Sequence, residues 1–302
     1  MKRLKTTIEV IRQEGKVSKL PLTIYKFQKN KRAVFGLIIV IIIFLIAIFA
    51  NLVAPNDPLG RDIPTSERLE RIGEAPSLEH LLGLDDIGRD VLSRIIFGCR
   101  ISITIGLVSV SIALTIGVII GSIAGYFGKW VDHLLMRAID VMMAFPAFLL
   151  ALMIITFLGP SLENAMIAVG IALIPMYARL TRGQVLTIKE NDYVEAARMV
   201  GARDWRIIVF HILPNAAAPL IIQVTLNFAS AILSAAALGF LGLGAQPPTP
   251  EWGVMLSGAR KYLYVFPHLS VFPGIAIMIT VLAFNLVGDG LRDAFDPRVV
   301  AE

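Results

Sequence analysis

The chain has 302 residues, 56% of them hydrophobic and only 17% charged, with a net charge of +5. It is too apolar to enclose a single soluble core, so most of its surface must meet lipid. One cysteine, Cys99, excludes an internal disulfide and a thiolate metal cluster.

Residues 1–32 form a polar segment with ten basic side chains. They precede the first apolar block, and further blocks follow it, which argues against a secretory signal peptide. Residues 33–53 read AVFGLIIVIIIFLIAIFANLV, free of charge and long enough to cross a bilayer, for which about 20 apolar residues are needed. Residues 54–100 are a polar loop region. The stretch from Asn51 to Arg100 carries four prolines and nine acidic residues. Five more uncharged apolar blocks follow, at 101–126, 141–159, 164–178, 215–244 and 271–288. Pro146 and Pro175 predict kinks in the third and fourth of these six. The expected fold is an all-α polytopic membrane protein with six transmembrane helices, its core at 101–288 and a tail at 289–302.

Orientation follows from the basic residues. With six spans, 20 of the 28 Lys and Arg fall on the side of the N-terminus, giving that side a net +8 and the other −3. Both termini and the loop at 179–214 are therefore expected in the cytoplasm, the chain being a multi-pass membrane protein. Anionic lipid accounts for the basic excess, and no nucleic-acid partner is implied.

The 36-residue loop at 179–214 is long for a connection and patterned as two short helices. Asp192, with Glu195 three residues on, has the spacing of a helix start. Tyr193, Ala197 and Val200 fall on one face, Gly201 has the place of a helix-ending residue, and Asp204 that of a second cap.

The run Glu195-Ala196-Ala197, three residues, Gly201-Ala202-Arg203, then Ile212-Leu213-Pro214 resembles the EAA loop of ABC importer permeases, except that His211 replaces the usual isoleucine. The resemblance implies that Glu195, Ala196, Ala197, Gly201, Ala202, Arg203, Leu213 and Pro214 couple the spans to an ATPase. Small side chains at Ala196, Ala197 and Gly201 would let a helical elbow sit deep in a groove. Read locally, Glu195 is only a capping residue and Gly201 only a helix stop.

Two further stretches narrow the resemblance. His80-Leu81-Leu82-Gly83 with 85–94 (DDIGRDVLSR), and 239–253 with 288–298, are similar to the second, C-type permease of dipeptide, oligopeptide and nickel importers. What this implies is a type I (MetI-like) permease fold and an assembly with a second homologous permease as a heterodimer. Two ATPase subunits carrying ATP and Mg, and an extracytoplasmic peptide-binding protein, complete it. The binding protein is expected to meet the 51–100 region and residues 246–252. Nickel or another small solute remains the alternative cargo.

The chain lacks a P-loop: Gly15-Lys16 and Gly128-Lys129 are not followed by Ser or Thr. It is therefore read as a transport subunit without a catalytic site, not an enzyme. Charge-free spans also argue against an ion-coupled carrier, which places ionisable groups within the membrane. The four histidines are scattered, so no metal site is expected. Gln223, Asn227, Ser230 and Ser234 are spaced to share one helical face, either lining the route for cargo or hydrogen-bonding to neighbouring helices. Gly117, Gly121 and Gly125 form a ridge for close helix packing, against this chain or the partner permease.

Overall fold

The structure is a computed structural model that describes residues 19–62 and 64–295. Most of the N-terminal basic segment and the last seven residues, with the Asp296-Pro297-Arg298 match, lie outside the described residues.

In chain order, helix α1 (Lys19–Lys29) leads into α2 (Lys31–Ile48), and α3 (Ala50–Val53) follows a break at Phe49. Asn30 caps α2 by accepting from the Arg32 and Ala33 amides, and its Nδ2 donates to Asp293 at 3.1 Å. The start of the first span is thereby tied to the end of the last helix. A short helix α4 (Thr65–Glu70) lies in the polar region.

Helix α5 (Val91–Phe127) starts ten residues before the predicted second span. Asp90 caps it through Ser93 N at 2.7 Å. Its charged first turns are stable as helix because protein meets them: Arg94 donates to Pro58 O and Pro248 O, and Arg100 to Ala47 O. At 1.5 Å per residue, 37 residues make about 55 Å, well beyond the hydrocarbon thickness.

The third predicted span is not one straight helix. α6 (Lys129–Met143) and α7 (Ala147–Leu158) meet at 89°, because Pro146 lacks an amide donor and disfavours helix at Phe145. α7 alone is about 18 Å long and too short to cross a bilayer.

Helix α8 (Leu162–Ile188), capped by Ser161, continues through Arg179 and Arg182, so ten residues read as loop are helix. A short excursion follows with α9 (Asp192–Met199), α10 (Asp204–Ile207) and a π-helical turn (Ile208–Ile212), which runs directly into α11 (Leu213–Phe240). After a turn come α12 (Trp252–Ala259) and α13 (His268–Phe295), the latter absorbing the first residues of the predicted tail.

Among the described residues five helices are long and apolar enough to span a membrane, six if the bent pair counts as one. The two ends of the bundle differ. One gathers the starts of α2 and α11 with the ends of α5, α8 and α13; the other gathers the 54–90 region, α12 and the start of α13.

The seams are set by small residues. A Cβ added at Gly117 would lie 2.5 Å from Tyr177 Cβ, at Gly121 2.4 Å from Ala178 O, and at Gly125 2.9 Å from Val185 Cβ. The glycine ridge therefore packs on α8 of the same chain.

Candidate functional site

The excursion between α8 and α11 is an ordered elbow. α8 ends where Lys189 Nζ donates to Gly125 O at 3.0 Å and Asn191 Nδ2 to Ile188 O at 2.8 Å. Val194, Ile207 and Ile212 are fully buried, and Ala197 and Ala202 are half-buried against the same core. These apolar anchors fix the elbow on the bundle.

The turn is a Schellman arrangement. Gly201 takes φ +81, its amide bonds to Arg198 O at 3.0 Å, and the Ala202 amide reaches back to Ala197 O at 3.1 Å. Gly201 is thus the helix-ending residue its spacing predicts. A Cβ there would meet nothing within 4 Å, so its conformation, not crowding within this chain, requires glycine.

The caps differ from expectation. Asn191 occupies the N-cap of α9, with Asp192 and Glu195 both in the first turn, and no side chain closes a capping bond there. Arg203, not Asp204, is the N-cap residue of α10. Asp204 instead accepts a hydrogen bond from the Tyr126 hydroxyl at 2.7 Å, and the Arg198 guanidinium lies 5.7 Å from the centre of the same ring. This link from the end of α5 to the elbow spans 78 residues of sequence, and the sequence alone did not reveal it.

Among its exposed charged residues the elbow also exposes apolar ones. Met199 is 83% and Val200 84% exposed, and Tyr193, Trp205 and Phe210 are also exposed. Of the predicted face, only Ala197 turns inward; Val194 takes the buried role foreseen for Tyr193 and Val200. Glu195 and Ala196 are exposed, and Glu195 borders a cleft of about 280 Å³ with Lys189, Arg198 and Tyr126. Arg203 is exposed, whereas Leu213 and Pro214 already belong to α11, Leu213 half-buried and Pro214 exposed. Beside the elbow, Arg182 holds Asp132 through two bonds of 2.6 Å and Arg179 holds Asp140 at 2.6 Å, fastening α6 across the base of α8.

The polar residues of α11 do not share one environment. Asn227 is only 4% exposed, accepts from Gln223 Nε2 at 3.0 Å, and keeps its own amide nitrogen beside Tyr177 without a closed hydrogen bond among the described residues. Gln223 also reaches Met176 Sδ at 3.1 Å, and the Tyr177 hydroxyl donates to Gln223 O at 3.4 Å. Ser230 is exposed with its hydroxyl turned back to Leu226 O, and Ser234 is half-buried. Gln223 and Asn227 therefore sit in the α8–α11 seam and Ser230 outside it.

Comparison with known proteins agrees with this architecture. Residues 117–301 match the model of the binding-protein-dependent transport system inner membrane component, and residues 21–70 match the N-terminal TM domain of oligopeptide transport permease C. A dipeptide transport system permease protein of Alkalihalophilus pseudofirmus is 49% identical over 274 residues, 91% of this chain and 88% of that one. A di/tripeptide transport system permease protein of Pseudomonas aeruginosa is 49% identical over 276 residues, 90% of each. A glutathione transport system permease protein of Escherichia coli is 44% identical over 274 residues, 91% of this chain and 89% of that one. In fold, the chain is similar to one in the inward-facing MetNI methionine ABC transporter, with TM-score 0.55 at 18% identity, covering 68% of this chain and 98% of that chain. With a family match over more than half its length and relatives at this identity, the chain belongs to the inner-membrane permease family of binding-protein-dependent transport systems.

Proposed function

We propose that the chain is one of two homologous permease subunits of an ATP-driven importer of short peptides, and that its elbow at 189–212 docks on a partner ATPase. The observation that carries this reading is the elbow's exposed apolar residues, led by Met199 and Val200, on an element otherwise firmly anchored to the bundle. Met199 and Val200 lie outside the helices apolar enough to cross a membrane, so their exposure suits contact with a protein and not with lipid. The names of the relatives, all peptide or glutathione permeases, support peptide as cargo. ATP and Mg belong to the ATPases, and a peptide-binding protein delivers cargo at the opposite end. On this reading the elbow and both termini face the cytoplasm, in line with the excess of basic residues on that side.

Force from the ATPase enters at the elbow and leaves through its attachments. Val194, Ile207 and Ile212 carry it into the core, and Tyr126–Asp204 carries it into α5. Tyr126→Phe removes one hydrogen bond to an exposed carboxylate, worth about 1 kcal/mol. Assembly and basal ATP hydrolysis are expected to persist while peptide uptake falls about fivefold. Equal uptake by the Phe variant in proteoliposomes would remove Tyr126 from the coupling route.

Gln223 and Asn227 are proposed to line the cargo route when the α8–α11 seam opens. Asn227→Leu is expected to leave the complex assembled and reduce uptake about tenfold, since the route loses a polar group that a zwitterion needs in a dry setting. If the residue served only to join helices, the loss would appear in thermal stability, and uptake per folded complex would be unchanged.

A further inference from the structure

At the end opposite the elbow, the start of α5 and helix α12 border a cavity of about 250 Å³, within the region expected to meet the binding protein. That is room for a small molecule or for the end of a peptide.

One wall is charged, but most of its charges are already committed. Asp85 accepts from Arg89 Nε at 2.7 Å and from the Ile87 and Arg89 amides, and Arg94 Nε stands 3.5 Å away. Asp86 is the exception. It lines the cavity half-buried, and, unlike Asp85, it makes no ion pair among the described residues. Burial first, and then the neighbouring Asp85, hold its carboxyl above the ordinary range, with Arg89 and Lys261 only partly opposing them. A carboxylate so placed gains from a cation entering the cavity.

The other wall is apolar, formed by Val254, Met255 and Leu269. Gly258, the penultimate residue of α12, also lines it. Packing explains Gly253 on the same helix, since a Cβ there would lie 2.1 Å from Ala236 O. It does not explain Gly258, whose Cβ would meet nothing within 4 Å. What the missing side chain provides is open volume.

A lone free carboxylate is too few ligands for a divalent metal, which demands several oxygen donors. A primary ammonium carried next to an apolar side chain fits both walls. We propose that this cavity is an entry subsite for the amino end of the cargo, with Asp86 as counter-charge to the ammonium and the α12 wall against the first side chain. The proposal rests on the peptide-importer reading and names where that cargo first touches this chain.

The test uses the complete importer in nanodiscs without binding protein, probed by saturation-transfer NMR with L-leucinamide and with N-acetyl-L-leucinamide. Leucinamide is expected to bind and the acetylated compound not to. Asp86→Asn and Gly258→Leu, the second of which fills the cavity without touching the charge, are each expected to weaken binding about tenfold. Equal binding of both compounds, or unchanged binding in both variants, overturns the proposal. So does absent leucinamide binding with Asp86→Asn impairing capture of the binding protein, because the cavity then takes a lysine of that partner. Peptide uptake by the unaltered importer is measured in parallel. Failure there counts against the peptide reading, whereas normal uptake without leucinamide binding counts against the subsite alone.

Discussion

Replacing Gly201 with leucine is expected to abolish ATP-driven peptide uptake while the chain remains in the membrane and assembled with its partner permease. Two effects act together. At φ +81 an L-residue pays about 1–2 kcal/mol, which loosens the turn between α9 and α10. The added side chain also projects from an exposed position beside Val200, into the surface proposed to meet the ATPase. Gly201→Asn separates the two, because asparagine tolerates the left-handed conformation yet still adds bulk. If both variants fail in uptake and in ATPase co-purification, contact with the partner is what glycine protects. Normal uptake by the asparagine variant with failure of the leucine variant would assign the effect to turn geometry or to the larger side chain. Normal uptake by both would contradict docking at this elbow.

Gly121→Leu is expected to cause the largest loss of folded protein. A Cβ at that position would already lie 2.4 Å from Ala178 O, 2.7 Å from Thr181 Cβ and 2.9 Å from Arg182 N. Two of these are backbone atoms that no rotamer change can move. α5 and α8 would have to separate along their seam, and the Lys189–Gly125 bond depends on that separation. Inserting extra methylenes into a tight core typically costs about 1–3 kcal/mol, and leucine adds a whole side chain where backbone blocks even its Cβ. Gly121→Ala is expected to lower the thermal midpoint measurably, and Gly121→Leu to leave little monodisperse protein after detergent extraction. Gly183→Leu is the control on the adjoining helix, since a Cβ at Gly183 meets nothing within 4 Å. Equal yields of the Gly121 and Gly183 leucine variants would contradict the packing described.

The apolar blocks were legible because lipid demands about 20 uncharged residues in a row, a requirement that composition satisfies without reference to tertiary contacts. Their boundaries were not. Arg94, Arg100, Arg179 and Arg182 look like loop residues in a linear reading, yet each lies in a helix because a distant carbonyl or carboxylate receives its charge. Pro146 was expected to kink one span, and the structure turns it into a near right angle between two helices. The glycine ridge announced close packing, but only the fold supplies α8 as the neighbour. Spacing located the turn at Gly201, since the left-handed conformation selects glycine locally. Asn191 taking the cap expected of Asp192, and Asp204 turning to Tyr126, depend on tertiary placement. The burial of Asn227 likewise follows from the seam with α8 and has no signature in a 4, 3, 4 spacing.

On the proposed function an external ATPase drives transport through this chain. Uptake of a labelled dipeptide into proteoliposomes holding both permeases, the ATPases and the binding protein, compared with liposomes holding this chain alone, tests this. Uptake that requires ATP, the full assembly and an intact Gly201, and that survives dissipation of ion gradients by ionophores, is the predicted result. Uptake by this chain alone that collapses with the ion gradient would contradict it.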